Sequence, residues 1–577
     1  MLSTSSVALR PFWLTGPRVQ RYLFSGAILA ALGYLIVYPI GMLVYASVVD
    51  VPPRPGEPIG HLTGHNFAPL FAGGNLQAIG NSVVIGVAGT ALALAIGCAL
   101  AWLTARTDMP ARWLGQVSAI VPLFLSPFVG ALAWSFLAGP RVGYLNVFLQ
   151  GMGAPFGLNV FSLGGLVFVL GLYHAPYAYL FVSSALTLIN PELEEAGKAH
   201  GATGWQVARR ITFPLVRPAL LGAATLTLVL IIENFPIPEV LGTTGGVLTV
   251  PVQIFRLMEM YPSNPNEASA FGVVLLLFLS LLLFAQARLL RGRDFATVTG
   301  KGFRPRQLKL GKWRWVAFAF VLLYLVGAVL LPLWALAMRA LSKFGYFLNS
   351  RSFVDFGNMT FKNFSDTLSY STFTDALRNT VFVAVATAVF GGALHYLIAH
   401  VVHRTRLPGR RVMEYVTMAP IAIPGVVIGL GYLWAWIRLP WPPLFGSLWI
   451  FVLAYSARLA PFGFRTMSAT IGQLHHELEE SARVCGAGRV RTVRSITLPL
   501  LRPGVVSMLL LLFIMSFHEL SVSIFLYTPN TQVVTVVLYQ AWSDGNTARV
   551  AVISLVTSGL LLLVALVGRR WLKFREA

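Results

Sequence analysis

The chain has 577 residues, of which 56% are hydrophobic and 11% are charged, and its mean hydropathy is +0.72. Soluble domains usually carry about 25% charged residues, so this composition excludes an ordinary soluble protein and indicates an integral membrane protein. The formal net charge of +22 does not indicate a nucleic-acid-binding protein, because the basic residues lie in short loops between apolar segments.

Twelve apolar segments are predicted to cross the membrane, since a hydrocarbon core of roughly 30 Å requires about 20 helical residues. In the first half of the chain they are 22–48, 79–103, 114–138, 161–186, 219–241 and 270–290. In the second half they are 315–341, 380–402, 412–436, 447–471, 504–526 and 549–567. The sequence therefore predicts an all-α polytopic membrane protein with six spans in each half.

Proline residues interrupt the third and ninth of these spans. Pro122 and Pro127 lie in the third, and Pro420 and Pro424 lie in the ninth. Because proline cannot donate the helical hydrogen bond, we expect both spans to be loosened there, as happens in helix bundles where the backbone lines a cavity.

A charged loop between the fourth and fifth spans, residues 190–218, recurs at 475–503. Thirteen of the 27 positions that begin at Glu192 and at Glu477 are identical, at an offset of 285 residues. Two such matched loops argue against ordinary connecting loops whose basic residues only set the topology.

Within the first copy of this loop, the dipeptide Asn190-Pro191 predicts a helix start, with asparagine as N-cap and proline in the first turn. Gly201 predicts an elbow, because glycine adopts positive φ without a Cβ penalty. A second short helix is expected over 205–210, before Pro214 and Pro218 mark the return into the membrane.

The repeat extends beyond the loop, since Asn81-Ser82 matches Asn379-Thr380 at an offset of 298. Each half has an even number of spans, so both enter the membrane in the same orientation. The halves therefore form a parallel repeat, related by an axis along the membrane normal.

The predicted domains are an N-terminal segment 1–21, a first half 22–290, a linker 291–314, a second half 315–568 and a tail 569–577. With the N-terminus inside, the inner segments hold 31 of the 43 Lys and Arg residues. Cytoplasmic loops retain positive charge, so we expect both termini, the linker and both repeated loops to be cytoplasmic.

Four polar residues lie about halfway along the fifth and eleventh spans: Glu233, Asn234, His518 and Glu519. Ionisable groups are costly inside a membrane and usually face a cavity or a partner. One interpretation places them along a translocation pathway. The other is structural pairing with Arg458 or Arg465 in the tenth span, and the sequence leaves both open.

The loop pattern resembles the cytoplasmic signature loop of ABC importer permeases, in which a Glu-Ala-Ala motif precedes a Gly, an Ile and a Pro at fixed spacing. The residues that carry the resemblance are Glu195, Ala196, Gly197, Gly201, Ile211 and Pro214, and in the second copy Glu480, Ser481, Ala482, Gly486, Ile496 and Pro499. With the two six-span halves, the resemblance extends over nearly the whole chain. It is to the fused two-half permeases of the ferric-iron type among type I ABC importers.

This resemblance implies that each loop docks a coupling helix on a homodimeric ATP-binding subunit. The implied coupling residues are Glu195, Ala196, Gly201, Glu480, Ala482 and Gly486. A periplasmic solute-binding protein and membrane lipid are the other implied partners, in the inner membrane of a bacterium. No nucleic acid, cofactor, metal site or catalytic residue is expected. None of the seven lysines lies in a GK[ST] phosphate-binding motif, so we expect no ATPase site in this chain.

The cargo expected from the resemblance and from the two acids is ferric iron, because acidic walls attract a cation and repel an anion. Thiamine, an aminoalkylphosphonate, a polyamine or another small solute is the alternative within the same class. An ion-gradient-driven secondary transporter is the alternative from a different class, and the intramembrane acids lend it some support.

Overall fold

The computed structural model describes residues 17–189, 191–290, 308–344, 356–437, 442–474, 476–486 and 488–573. Asn190, most of the predicted linker 291–314, and parts of the predicted terminal segments 1–21 and 569–577 lie outside these ranges. Within them the regular secondary structure is helical, apart from three isolated β-bridges. The all-α prediction is confirmed.

The helices of the first half are α1 (Val19–Ser47), α2 (Gly73–Arg106), α3 (Arg112–Phe124), α4 (Pro127–Ala138), α5 (Tyr144–Gly151), α6 (Leu163–Leu188), α7 (Pro191–Ala199), α8 (Gly204–Ile232), α9 (Pro238–Gly245), α10 (Val250–Glu259) and α11 (Pro265–Leu290). Those of the second half are α12 (Trp313–Leu341), α13 (Lys362–Leu368), α14 (Ser371–Arg404), α15 (Arg410–Ala422), α16 (Gly425–Ile437), α17 (Leu448–Arg458), α18 (Ala460–Gly472), α19 (His476–Val484), α20 (489–500), α21 (Arg502–Phe517), α22 (Ser523–Leu526), α23 (Val534–Ser543) and α24 (Thr547–Lys573).

Eight described helices are long and apolar enough to cross a membrane, and the number rises to 12 if each of four bent pairs is one span. The third and ninth spans are two of these pairs, bent by 100° between α3 and α4 and by 113° between α15 and α16. Proline lies at each break, so the predicted interruptions are confirmed.

The fifth and eleventh spans differ from the prediction. The predicted spans 219–241 and 504–526 are wrong at their ends, because α8 ends at Ile232 and α21 ends at Phe517. Pro236 and Pro238 follow α8 closely, and proline lacks the N–H that would continue the helix. Glu233 and Glu519 therefore lie in breaks, and not halfway along continuous helices.

The helix expected over 205–210 is not a separate element. It forms the start of α8, which continues through the π-helical turn Ala208–Thr212 and past Pro214 and Pro218 into the membrane. A proline near a helix start costs little, and the wider π turn before Pro214 accommodates its ring. In the second half the matching segment bends by 67° between 493–500 and α21.

Equivalent helices of the two halves keep the predicted offsets. Helices α2 and α14 begin at Gly73 and Ser371, 298 residues apart, and α7 and α19 begin at Pro191 and His476, 285 residues apart. The register of the sequence repeat is therefore also the register of the structure.

The matched Asn81-Ser82 and Asn379-Thr380 pairs hold equivalent backbone positions. The Asn81 amide donates to the Leu248 carbonyl at 2.9 Å, and the Asn379 amide donates to the Gln532 carbonyl at 3.0 Å. The hydroxyls of Ser82 and Thr380 each accept, at 2.8 Å, the N–H of the first residue of α10 and of α23. These four bonds fix α10 and α23 against α2 and α14.

The first helix of each half packs on the other half. Helix α1 lies against α16, where the Tyr432 hydroxyl donates to the Leu35 carbonyl at 2.7 Å and the Trp436 indole donates to the Tyr34 hydroxyl at 2.9 Å. Helix α12 lies against α4. This exchange packs one face of each helix against the other half and joins the two halves into one bundle.

Candidate functional site

A cavity of about 170 Å³ lies between the halves, where their broken helices meet. Its lining consists largely of residues that are equivalent in the repeat. The pairs are Pro122 with Pro420, Leu123 with Ile421, Leu125 with Ile423, Tyr173 with Arg458, His174 with Leu459, Tyr177 with Phe462, Leu230 with Met515, Glu233 with His518, Asn234 with Glu519, and Pro236 with Ser521. Since both members of each pair line it, the cavity is centred on the axis that relates the two halves.

All four polar residues that the sequence singled out line this cavity, together with Arg458. The Arg458 guanidinium lies between the two acids, with Nε 2.8 Å from Glu519 Oε2 and Nη2 3.6 Å from Glu233 Oε1. The three side chains are 10–18% exposed. One positive and two negative groups give the trio a formal charge of minus one.

Structural pairing with Arg458, which the sequence left open, is therefore present, whereas Arg465 is exposed and lies outside the lining. Glu233 comes from the first half and Glu519 from the second, so Arg458 bridges the halves across their axis. The pairing is compatible with a place on a pathway, because all three groups face the cavity.

Asn234 and Glu519 also stabilise the helices that follow the breaks. The Asn234 side-chain oxygen accepts the Ile237 N–H at 3.1 Å, and Glu519 Oε1 accepts the Val522 N–H at 3.2 Å. Asparagine and acidic residues at a helix start commonly satisfy its free N–H groups in this way. This local role was missed from the sequence, although prolines after Glu233 signalled that a new helix begins there.

The repeated loops contain the predicted elbows. Gly201 has φ of +84° and Gly486 has φ of +82°, both in the left-handed region that favours glycine. Thr203 and Gln206 form a capping box that starts α8 after the first elbow. Glycine at the elbow therefore sets the angle between α7 and the membrane helix.

The predicted coupling residues lie on α7 and α19, next to these elbows. Glu195 and Ala196 are exposed on α7. On α19, Glu480 and Ala482 lie on the short helix, and Ala482 is 7% exposed. Each loop thus presents one short helix beside one glycine elbow, which is a geometry suited to docking.

An arginine at the end of α2 anchors the first loop, a contact that sequence reasoning missed. The buried Arg106 pairs with Glu194 of α7 at 3.3 Å and donates to the Leu186 carbonyl at 2.9 Å. The Thr212 hydroxyl donates to the other oxygen of Glu194 at 2.8 Å. Glu194 therefore connects α7 to α2 and to α8.

The equivalent residue of the second half, Arg404, donates to the Ile471 carbonyl at 2.8 Å. Ile471 is equivalent to Leu186, so the two arginines hold matching backbone positions. The two arginines are 298 residues apart, which is the offset of the repeat at this place, so the sequence indicated that they are equivalent. Sequence reasoning used both arginines only to orient the chain.

The end of the predicted linker attaches beside the first anchor. The Leu308 N–H donates to the Arg106 carbonyl at 2.8 Å, and the Asp108 N–H donates to the Leu308 carbonyl at 3.1 Å. Asp108 also accepts the Leu310 N–H at 2.8 Å. The start of the second half is thereby tied to the α2 end that carries the loop anchor.

The repeated architecture agrees with a known family of membrane proteins. The family model described as "Binding-protein-dependent transport system inner membrane component" matches residues 91–294 and 397–575, one match in each half. The chain belongs to this family. It is a multi-pass permease made of two fused repeats, and the class predicted from the sequence is confirmed.

Among its relatives, the chain is similar to two ferric transport permeases. It is 27% identical over 540 residues to the ferric transport system permease protein FbpB of Actinobacillus pleuropneumoniae, covering 90% of this chain and 74% of that one. A putative FbpB of Haemophilus influenzae is 27% identical over 520 residues, covering 87% and 77%. The sulfate transport system permease protein CysW of Escherichia coli is 30% identical over 214 residues, covering 36% and 71%.

Proposed function

We propose that this permease imports a cation, and that the cation is ferric iron. The observation that carries the proposal is the trio of Glu233, Arg458 and Glu519 on the axis between the halves, with its formal charge of minus one. In a site of low dielectric, one net negative charge favours a cation and disfavours sulfate or a phosphonate.

The relatives support the same cargo. The two ferric transport permeases match along most of this chain, whereas the sulfate permease matches about a third of it. Thiamine and polyamines also carry positive charge and remain the second candidates on the same observation. The rest of the lining combines apolar residues with uncharged polar groups such as His174, Asn234 and His518, which could contact a passing solute.

We further propose that ATP drives transport through the two repeated loops. A homodimeric ATP-binding subunit presents two equal docking grooves, which suits two loops with equal elbows and with equivalent arginines that bind matching backbone positions before each loop. Closure of that dimer would push α7 and α19, and Glu194 would pass the movement to α2 and α8. A periplasmic binding protein would deliver the cargo at the opposite face.

Reconstitution tests the cargo and the energy source together. Purified permease and ATPase subunit are placed in proteoliposomes, and uptake is measured for radiolabelled ferric iron delivered by its loaded binding protein, with thiamine, spermidine, sulfate and a phosphonate as comparisons. We expect iron uptake that requires ATP and persists with ionophores. Uptake of sulfate or phosphonate instead would contradict the cargo, and uptake driven by an ion gradient would contradict the ATP-driven mechanism.

The orientation is a separate part of the proposal, based on the basic bias of the predicted inner segments. Cys485 is exposed beside the Gly486 elbow, and Cys98 is half-buried in α2. In a Cys98→Ala background, a membrane-impermeant maleimide should label Cys485 in inverted vesicles and not in intact spheroplasts. Labelling of intact spheroplasts would place the loops outside and contradict the topology.

A further inference from the structure

Two equivalent aromatic residues meet on the axis beyond the cavity. Phe255 of α10 and Tyr539 of α23 are equivalent, as the bonds of Ser82 and Thr380 to the first residues of those helices establish. Their ring centroids are 5.7 Å apart at an interplanar angle of 89°. Equivalent residues that contact each other lie on either side of the axis, so a passage along the axis crosses this contact.

This contact lies on the side of the cavity away from the repeated loops. Ser82 binds the start of α10 and Arg106 binds the first loop, and the two residues are 24 positions apart on α2. At 1.5 Å per residue, that separation is about 36 Å, roughly the thickness of a membrane. The aromatic pair therefore closes the end of the axis opposite the proposed ATPase docking face.

A buried acid of the first half contacts one member of the aromatic pair, Tyr539. Glu239 of α9 is 4% exposed, and its Oε1 accepts the Tyr539 hydroxyl at 3.2 Å while its Oε2 accepts the Thr243 hydroxyl at 3.3 Å. The Tyr539 bond crosses between the halves, since α9 belongs to the first and α23 to the second.

The repeat itself shows that packing does not require these polar groups. The position equivalent to Glu239 holds Ile524, and the position equivalent to Tyr539 holds Phe255, both 4% exposed. The same fold thus accepts apolar side chains at both places. Burying a carboxylate costs desolvation energy that an isoleucine avoids, so packing alone does not account for an acid at this position.

We propose that Glu239 and Tyr539 form a cation-selective constriction, through which cargo passes between the outer face and the cavity. The carboxylate and phenol oxygens are hard donors, which suit a hard metal cation, and the buried negative charge repels anions. When the halves separate, the bond across them breaks and both groups become free to contact the cargo. This inference rests on the proposed import of a cation. It identifies Glu239 and Tyr539 as the place where the protein first discriminates the cargo by its charge.

The test compares matched variants in the reconstituted complex with the ATPase subunit and the iron-loaded binding protein. Glu239→Gln keeps the shape and the hydrogen-bond acceptor while removing the charge, and Glu239→Asp keeps the charge. Ile524→Val at the equivalent position is the control. We expect Glu239→Gln to lower ferric uptake at least tenfold, Glu239→Asp to retain most of it, and Ile524→Val to leave it unchanged. Tyr539→Phe should lower uptake about threefold, because the charge remains.

The outcomes separate this inference from the proposed function. If the unaltered protein imports ferric iron and Glu239→Gln does so equally well, the constriction is wrong and the proposed cargo stands. If Glu239→Gln and Glu239→Asp lose uptake and thermal stability together, the acid is structural and the constriction is also wrong. If the unaltered protein imports no cation, the proposed function fails first, and the selective role fails with it.

Discussion

Gly201 and Gly486 lie at equivalent places in the two loops and share nearly the same φ, +84° and +82°. Arg106 and Arg404 likewise donate to equivalent carbonyls at 2.9 and 2.8 Å. The polar residues of the cavity, which is built from the same repeat, differ between the halves. Tyr173 in the first half is equivalent to Arg458 in the second, Glu233 is equivalent to His518, and Asn234 is equivalent to Glu519.

This difference indicates where the two halves have to be alike. A loop that docks on one of two equal sites must match its partner loop. A residue on the axis meets its own equivalent, and two equal charges there would repel each other. A single fused chain allows the halves to differ at such positions, so that one arginine can bridge two acids across the axis.

Replacing Arg458 should have the largest effect. Arg458→Gln leaves two mostly buried acids without their cation; breaking a fully buried pair in this way costs about 3–5 kcal/mol, so the loss here should lie towards the lower end of that range. Thermal unfolding of the purified protein in detergent should show the loss, whereas Tyr173→Phe at the equivalent position should change little. The triple variant with Glu233→Gln and Glu519→Gln should recover most of the stability. If Arg458→Gln and the unaltered protein have the same melting temperature, the ion pairs do not contribute to stability.

The loop anchors should respond equally, in contrast to the cavity. Arg106→Gln and Arg404→Gln each remove charge-assisted bonds worth roughly 1.5–3 kcal/mol, so each should loosen its own loop. Limited proteolysis of the loops and the ratio of ATP hydrolysed to solute imported are the measurements. A large effect in one half with none in the other would contradict the matched-loop account.

The next largest effect is expected for substitutions at the glycine elbows. Gly201→Val and Gly486→Val place a β-branched residue in the left-handed region, at a cost of about 1–2 kcal/mol each. We expect each variant to lower transport and the double variant to uncouple ATP hydrolysis from it, with weaker pull-down of the ATPase subunit. Normal transport by the double variant would remove the coupling role from these loops.

The smallest effect is expected at the asparagines that hold α10 and α23. Asn81→Leu and Asn379→Leu each lose one hydrogen bond, worth about 1 kcal/mol. Their melting temperatures should fall by similar amounts, because the bonds are equivalent. Asn75→Leu is not a suitable control, since Asn75 bonds to Glu267 and Gln253. Unequal shifts would indicate that α10 and α23 are held differently in the two halves.

The sequence predicted the repeat, the glycine elbows and the proline breaks because each depends on local chemistry at a fixed spacing. It also identified Glu233 and Glu519 as residues facing a cavity or partner, and Arg458 as one possible partner. It did not predict that Arg458 binds both acids, since the three residues come together only when the halves pack against each other. The predicted ends of the fifth and eleventh spans were wrong. Apolar residues continue beyond the ends of α8 and α21, so a hydropathy pattern does not reveal the breaks.

The short helices α9, α10, α22 and α23 were not predicted as separate elements, for two different reasons. The predicted span 219–241 includes the start of α9 and the predicted span 504–526 includes α22, because their apolar residues continue those of the span. Helices α10 and α23 lie in the predicted loops that follow, and α10 contains Gln253, Arg256 and Glu259. The positions of α10 and α23 depend on Asn81, Asn379 and their neighbouring hydroxyls, which were recognised as a repeated motif without a structural role. A polar pair that recurs at the repeat offset inside two apolar helices was the signal that such contacts exist.

The central claim is that the unequal charges on the axis select the cargo, and Glu233→Gln tests it most directly. This variant leaves the 2.8 Å pair of Arg458 with Glu519 intact and changes the formal charge of the trio from minus one to zero. ATP-dependent uptake of radiolabelled ferric iron is measured in proteoliposomes that contain the variant and its ATPase subunit. We predict at least a tenfold fall in uptake with unchanged thermal stability and ATPase binding; uptake equal to that of the unaltered protein would contradict the claim.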